Sequence, residues 1–265
     1  MMIILNKQDY SVVKKKITVK ENSPPTFALS VLDEYINGTV YADSVNLQTI
    51  LIGTNSGIYY VFGNESNDQF NKDFIEFYRK RSNDNLRFTL FSANTNWDQA
   101  LIKHLKNELK QIRRLAFTHK NNVRLHTTNT SSENFSIKKI DEKTITNSVE
   151  FNNDYYKEYW GSVTNFIENG FGFCILHQGK VVSECTSIFS SKSLIEIDIA
   201  TQSDFQGFGL ATKIGKEFIN YSSQKNLIPR WDCDVSNRSS INLAEKLGFT
   251  NPKEYTVFVN NFHDE

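Results

Sequence analysis

The chain is poor in cysteine and proline, and each shortage excludes a class of protein. Three cysteines among 265 residues, Cys174, Cys185 and Cys233, form no Cys-x-x-Cys pair, so we expect reduced thiols and no metal site. The low Gly and Pro content, with 13% aromatic residues, argues against a disordered chain. The 39% hydrophobic content can fill the core of one large domain or two modest ones.

The chain also lacks a charge surplus and a long apolar run. Its 30 Lys and Arg residues balance 30 Asp and Glu residues, and without a basic surplus we expect no nucleic-acid partner. No apolar run approaches the roughly 18–20 residues of a spanning helix. The first residues lack the pattern of a signal peptide. We therefore expect a cytoplasmic protein without a membrane partner.

Periodic patterns and one polar stretch predict two domains. The first half alternates strand and helix patterns in the order β-β-α-β-α-β, which is typical of a layer of sheet and helices. Asn121–Glu133 is rich in Thr, Ser and Asn, as linkers are. We place the boundary there, which gives an N-terminal α/β domain over residues 1–130 and a second domain over residues 131–265.

The sequence pattern of the second domain predicts a mixed α/β fold with the order α-β-β-β-α-β-α-β. Its first helix, Asp154–Asn169, is rich in aromatic residues. In its third strand, Leu194–Ala200, isoleucines alternate with Glu196 and Asp198, so both carboxylates should lie on one face of the sheet.

A glycine-containing segment, Gln206-Gly207-Phe208-Gly209-Leu210-Ala211, follows that strand and precedes a helix predicted to begin at Thr212. Glycine lets a backbone approach a ligand closely, and the free N–H groups at a helix start favour anions. The segment therefore predicts a pyrophosphate site, although such a loop can also do no more than turn the chain.

Two common phosphate motifs fit this loop poorly. The P-loop pattern GxxxxGK[ST] is absent. The dinucleotide pattern GxGxxG has Thr212 in its third glycine position, although Asp232 lies near the usual place of a ribose-binding acid. Three strands of antiparallel character precede the loop, whereas a dinucleotide unit has its glycines after the first strand.

The loop resembles the Arg/Gln-x-x-Gly-x-Gly/Ala pattern of the Gcn5-related N-acetyltransferase (GNAT) superfamily. Further along, Asn237–Phe249 is similar to the second family signature, Asn-x-x-(Ala/Ser)-x-x-Leu-Tyr-x-Lys-x-Gly-Phe. The resemblance covers about Ser136–Phe262 and is greatest to bacterial members with an extra N-terminal domain. It implies a largely antiparallel sheet flanked by helices, preceded by a smaller α/β domain.

The resemblance also implies that backbone groups bind acetyl-coenzyme A (acetyl-CoA), without a metal. One strand segment would pair with the pantetheine like an added strand, and the loop would bind the pyrophosphate. Asn237 can in addition be a helix N-cap. The implied cofactor-binding residues are Ile199, Ala200, Thr201, Gln206, Gly207, Phe208, Gly209, Leu210, Ala211, Thr212 and Asn237.

By the same resemblance, a primary amine of a small-molecule or peptidyl acceptor would attack the thioester directly. A backbone N–H near Ile199 or Ala200 would stabilise the oxyanion. A lysine-like amine has a pKa of about 10.4 and must lose a proton, so a carboxylate is needed. The catalytic candidates are Asp232, Glu196 and Asp198, with Asp234 and Glu184 as further carboxylates. Asp232 occupies the strand position at which some family members keep a catalytic Glu.

One departure from the family pattern leaves an alternative open. Ala244 stands where the family has its usual acid, a Tyr. The chain could therefore be a non-catalytic acyl-CoA sensor or interaction module instead of an enzyme. For the first domain we consider a degenerate copy of the same fold, a substrate-gathering module or a dimerisation module, and a homodimer is compatible with the last.

Overall fold

A computed structural model describes residues 2–20, 24–106, 108–119 and 135–260. The chain forms two compact units, one comprising Met1–Arg114 and Tyr255–Glu265, the other Leu115–Glu254. The polar stretch in which we placed the domain boundary, Asn121–Glu133, lies outside the described residues.

Both units contain strands and helices in mixed order. The elements before residue 120 are β1 (Ile3–Ile4), α1 (Tyr10–Lys20), α2 (Thr26–Leu32), β2 (Gly38–Ala42), β3 (Thr49–Thr54), β4 (Ile58–Gly63), α3 (Asp68–Asn83), β5 (Thr89–Ser92), α4 (Thr95–Leu105) and β6 (Leu109–His119). Those after residue 134 are β7 (Phe135–Lys139), α5 (Glu142–Thr146), α6 (Asn153–Trp160), α7 (Val163–Asn169), β8 (Gly172–His177), β9 (Lys180–Ser190), β10 (Leu194–Thr201), α8 (Leu210–Gln224), β11 (Ile228–Asp234), α9 (Arg238–Lys246) and β12 (Phe249–Asn260).

The second unit has the mixed, mostly antiparallel sheet flanked by helices that the sequence predicted. Its strands β7, β8, β9 and β10 pair antiparallel in that order, and β10 pairs with β11 in parallel. Strand β6 lies on the other side of β11. The strand after α8 thus runs parallel to the one before it, as a strand–helix–strand connection requires.

The first unit repeats this arrangement. Strands β1 to β4 pair antiparallel in chain order, and β4 pairs with β5 in parallel. The last strand of the chain, β12, completes this sheet beside β5 through Val257–Val259. The two units therefore share their order of elements and the sense of their strand pairs.

A hydrophobic core between α8 and the sheet fixes the site of interest in the second unit. Ile214 and Phe218 on α8 are fully buried against Ile195 of β10 and Trp231 of β11. Burial of a side chain of this size stabilises a fold by about 1.5–3 kcal/mol. The packing holds the start of α8 at the end of β10.

The prediction of a single helix over Asp154–Asn169 is wrong. The segment forms two helices, α6 and α7, which separate at Gly161, where φ is +78°. Gly161 ends α6 as its left-handed C-cap, and Ser162 begins α7 as an N-cap that accepts from the Asn165 N–H. The Trp160 indole Nε1 donates to the Ser187 carbonyl at 3.0 Å and connects the end of α6 to β9. The short elements β7 and α5, whose sequences are mostly polar, were not predicted at all.

Candidate functional site: an open strand pair and a glycine loop

The two central parallel strands of the second unit separate after a short contact. Strand β10 pairs with β11 only through Leu194–Glu196, whereas its pairing with β9 continues to Thr201. A register shift at Glu196/Ile197 accompanies the separation. On its β11 side, the end of β10 therefore offers main-chain groups to which no described strand is paired. An extended ligand with amide groups can pair with such an edge.

The predicted loop lies directly after this open edge. Gly207 and Gly209 adopt φ values of +81° and +73°, and a Cβ atom built on either would meet nothing within 4 Å. Gln206 ties the loop to the end of β10, because its Nε2 donates to the Thr201 carbonyl at 3.2 Å. Phe208 is 67% exposed. The loop backbone thus faces open space, as close approach to a ligand requires.

The start of α8 has free donors at this place. The helix begins at Leu210, two residues before the predicted start, and its N-cap Gly209 makes no side-chain hydrogen bond. Its first N–H groups, which include those of Ala211 and Thr212, have no partner within the helix. Together with the helix dipole they favour an anion. The residues present therefore fit the pyrophosphate of acetyl-CoA.

In the first unit, side chains make hydrogen bonds at the corresponding strand end and helix start, those of β4 and α3. The N-cap of α3, Asn67, accepts a hydrogen bond from the Phe70 N–H at 3.1 Å. The Trp97 indole donates to the Gly63 carbonyl at the end of β4 at 3.2 Å. The difference between the units is therefore at the helix start, where Asn67 caps an N–H of α3 but Gly209 has no side chain with which to cap α8.

The predicted catalytic carboxylates share one face of the second sheet. Glu196 lies opposite Arg230 in the parallel pair, and Asp232, two residues further along β11, points to the same side. Asp198 lies two residues after Glu196, and its Oδ2 accepts a hydrogen bond from the Tyr155 hydroxyl at 2.9 Å. The opposite face carries the isoleucines of the core, as the alternation predicted.

Two carboxylates on this face have neighbours that stabilise their negative charge, Arg230 beside Glu196 and Tyr155 beside Asp198. Burial lowers the pKa of the Arg230 guanidinium, and the carboxylate of Glu196 acts against that shift. Burial raises the pKa of the Tyr155 hydroxyl, and Asp198 raises it further, so Tyr155 stays protonated and donates to Asp198. Glu196 and Asp198 therefore each have a partner on the face.

Residues of the second signature and of the end of β11 before it have structural roles. Asn237 is the N-cap of α9 and accepts from the Ser240 N–H at 3.0 Å. Asp234 accepts from the Ser236 N–H at 2.7 Å and shapes the preceding turn. Ala244 is completely buried in the core, and Cys233 is buried there as a small apolar side chain.

Glu184 on β9 is the carboxylate whose surroundings the sequence did not reveal. It lies opposite Ala200 in the β9–β10 pair and is only 4% exposed. Its Oε2 accepts from the Ser148 hydroxyl at 2.6 Å, while its Oε1 is buried and has no hydrogen-bond partner in the part of the chain that the structure describes. Burial is the main cause that raises the pKa of Glu184 to about 7.

The described residues offer neither a metal site nor a membrane span. No group of three or more His, Cys, Asp and Glu side chains there could hold a metal ion. No helix there combines the length and apolar character needed to cross a membrane.

Comparisons with known proteins connect this geometry to one family. The model of the GNAT acetyltransferase family matches residues 18–258, which includes most of the first unit. The uncharacterised N-acetyltransferase YdfB of Bacillus subtilis (strain 168) is 42% identical over 255 residues, which are 96% of this chain and 97% of YdfB.

Solved structures show the same fold. A GCN5-related N-acetyltransferase-like protein from Streptococcus suis 89/1591 has a TM-score of 0.71 at 24% identity and covers 96% of this chain and 99% of its own. A tandem GNAT protein from the clavulanic acid biosynthesis pathway has a TM-score of 0.61 at 8% identity and covers 100% and 99%. Both likenesses extend over both units.

Proposed function

This chain belongs to the GNAT acetyltransferase family, and we propose that it transfers an acetyl group from acetyl-CoA to a primary amine of a small-molecule or peptidyl acceptor. The observation that carries the proposal is the open end of β10 followed by the glycine loop and the uncapped start of α8. The open strand edge suits the pantetheine amides of coenzyme A, and the anion site that follows it along the chain suits the pyrophosphate.

The cofactor would be bound mainly by backbone groups. Ile199, Ala200 and Thr201 would pair with the pantetheine, and the N–H groups of Gly207–Thr212 would bind the pyrophosphate. Gln206 would keep the loop in place through its hydrogen bond to Thr201. Asn237, as the N-cap of α9, would lie beside the pantetheine arm. Backbone recognition explains why small residues stand in the loop.

Acetyl-CoA supplies an acetyl thioester, whose C–S bond breaks as the C–N bond to the amine forms, with net release of the thiol and one proton from an ammonium substrate. A backbone N–H near Ile199 or Ala200 would stabilise the oxyanion. The carboxylates of Asp232, Glu196 and Asp198 would attract a cationic amine and lower the cost of its approach. The reaction would be direct, within a ternary complex.

The first unit would not bind acetyl-CoA. Asn67 caps an N–H at the start of α3, and the Trp97 side chain lies at the end of β4 and donates to the Gly63 carbonyl. The same order of elements supports a degenerate copy of the fold as the origin of the first unit. We propose that the chain has one cofactor site, in the second unit.

An acyl-CoA sensor is the second candidate function, and Ala244 favours it. Its buried methyl group cannot protonate the leaving thiolate. A thiol has a pKa of roughly 8.5, however, so a thiolate can leave without a dedicated acid. Turnover in spite of Ala244 is therefore chemically reasonable.

Thiol release from acetyl-CoA by the full chain tests the proposal. The amines would be spermidine, ethanolamine, lysine and a lysine-containing peptide, with the acetylated product identified by mass spectrometry. We expect amine-dependent release with at least one of them. Binding of acetyl-CoA without release from any amine in a broader panel would favour the sensor.

A substitution of Asp232 tests its place on the acidic face. We expect Asp232→Asn to lower kcat/KM by roughly ten-fold to a hundred-fold, because one charge that attracts the amine is lost. Acetyl-CoA affinity, measured by titration calorimetry, should stay nearly unchanged. Unaltered turnover would remove Asp232 from the site.

A further inference from the structure

Glu184 is buried, and one of its carboxylate oxygens lacks a hydrogen bond to any described residue. Such an oxygen lowers folding stability unless a substrate or a water molecule binds to it. The Glu184 side chain is 4% exposed, and its Oε1 has no hydrogen-bond partner among the described residues. A buried polar atom without a partner loses its hydrogen bond to water on folding and gains none in return, which destabilises the folded chain. An atom of this kind is an acceptor available to a substrate proton or to a bridging water.

The position of Glu184 in the sheet places it beside the proposed cofactor strand. Its Cα pairs with that of Ala200 on β10 and with that of Cys174 on β8. Residues directly opposite each other in a sheet extend their side chains to the same face. Glu184 therefore shares the face of Asp198 and Glu196, and it lies across from the segment that would hold the pantetheine.

Other carboxylates of this face have partners for their charge. Asp198 accepts a hydrogen bond from Tyr155, and Glu196 lies opposite Arg230. A carboxylate held by a donor or beside a cation is a weaker proton acceptor, since its charged form is already stabilised. Glu184 has neutral donors, the Ser148 hydroxyl on Oε2 and the Phe151 backbone N–H, and their effect on its pKa is smaller than that of burial.

We infer that Glu184 is the catalytic base, which takes the proton of the acceptor ammonium at Oε1 through one bridging water, and that Ser148 is a positioning residue that holds Oε2. The inference rests on the proposed acetyl transfer. The ammonium N–H bond breaks, the proton moves to the carboxylate, and the electron pair stays on the nitrogen as the lone pair that attacks. The protonated Glu184 then returns its proton to solvent.

The electrostatic surroundings suit this role near neutral pH. Burial raises the pKa of Glu184 to about 7, the Ser148 hydrogen bond lowers it, and the exposed Glu150 carboxylate raises it. Glu184 in turn raises the pKa of Cys174 on β8 and of Tyr156 on α6, and Asp198 on β10 also raises the pKa of Tyr156. A base with a pKa near the working pH is the most efficient.

The experiment measures kcat/KM against pH for the full chain, with acetyl-CoA and the fastest amine of the panel. The unaltered chain should lose activity below about pH 7 as Glu184 becomes protonated. Glu184→Gln should lower kcat/KM by roughly a hundred-fold or more and remove this acidic limb. Acetyl-CoA affinity, measured by calorimetry, should stay within a few-fold and show that the variant is folded.

Two neighbouring variants should move the acidic limb in opposite directions. Ser148→Ala removes a hydrogen bond to the charged form and should shift the midpoint upward. Glu150→Gln removes a like charge and should shift it downward. Asp232→Asn should leave the midpoint in place. A merely structural role for Ser148 would not produce this pattern.

A readout without cofactor accompanies the kinetics. Carboxyl ¹³C NMR of the free chain should show one Glu titrating near pH 7, and its signal should be absent in Glu184→Gln. Turnover by Glu184→Gln with an unchanged acidic limb would overturn the role of Glu184 alone. Absence of turnover by the unaltered chain with every amine would refute the proposed function and this role with it.

Discussion

The carboxylates of the second unit differ in the neighbours that stabilise their negative charge. Asp198 and Glu196 lie beside a hydroxyl donor and a cation, whereas Glu184 keeps one buried oxygen unsatisfied. The sequence could identify these residues as candidates because strand alternation is local. It could not show that Ser148 contacts Glu184, or that Tyr155 contacts Asp198, because those partners are 36 and 43 residues apart.

The raised pKa of Glu184 makes a prediction about stability. The folded chain holds this proton between pH 4.5 and about 7, where the unfolded chain has released it, so stability falls as the pH rises through this interval. Between pH 4 and pH 8, we expect Glu184→Gln to gain about 3 kcal/mol of unfolding free energy relative to the unaltered chain. Denaturant unfolding at both pH values measures this change. A difference independent of pH would contradict the raised pKa.

At the scale of elements, local sequence patterns predicted the position of the loop but not the pairing between distant strands. Glycine and the apolar face of α8 predicted a strand–loop–helix junction to within two residues of the observed helix start. Asn237 is the N-cap that the sequence suggested. The separation of β10 from β11, by contrast, depends on a register between strands that no local pattern encodes. The break at Gly161 was missed because the aromatic pattern continues across it.

The loop glycines can be tested against a matched glycine of the same unit. Gly209 and Gly179 both have positive φ, at +73° and +78°, and both have open space at a Cβ position. Alanine at either position costs about 1–2 kcal/mol in the left-handed region. We expect Gly209→Ala to weaken acetyl-CoA binding at least tenfold, because it disturbs the anion site. Gly179→Ala, in the β8–β9 turn, should not affect binding, and equal effects of both variants would contradict a specific role for the loop.

At the scale of the whole molecule, the chain contains two units with the same order of elements and the same sense of strand pairing. The family model covers residues 18–258, although the sequence showed the family motifs only in the second half. The repeat was hidden because the first unit has no glycine loop, and Asn67 caps α3 at the corresponding place. Pairing through β12, the last strand of the chain, also lies beyond what a local pattern can predict.

The number of acetyl-CoA molecules bound per chain tests the central claim most directly. Isothermal titration of acetyl-CoA into the full chain, repeated with Gly209→Ala, counts the sites and locates them. We predict one site per chain, weakened at least tenfold in the variant, because β10 separates from β11 before an α8 that has no side-chain cap, whereas Asn67 caps the corresponding α3 of the first unit. Two sites per chain, or a single site insensitive to Gly209→Ala, would contradict the account.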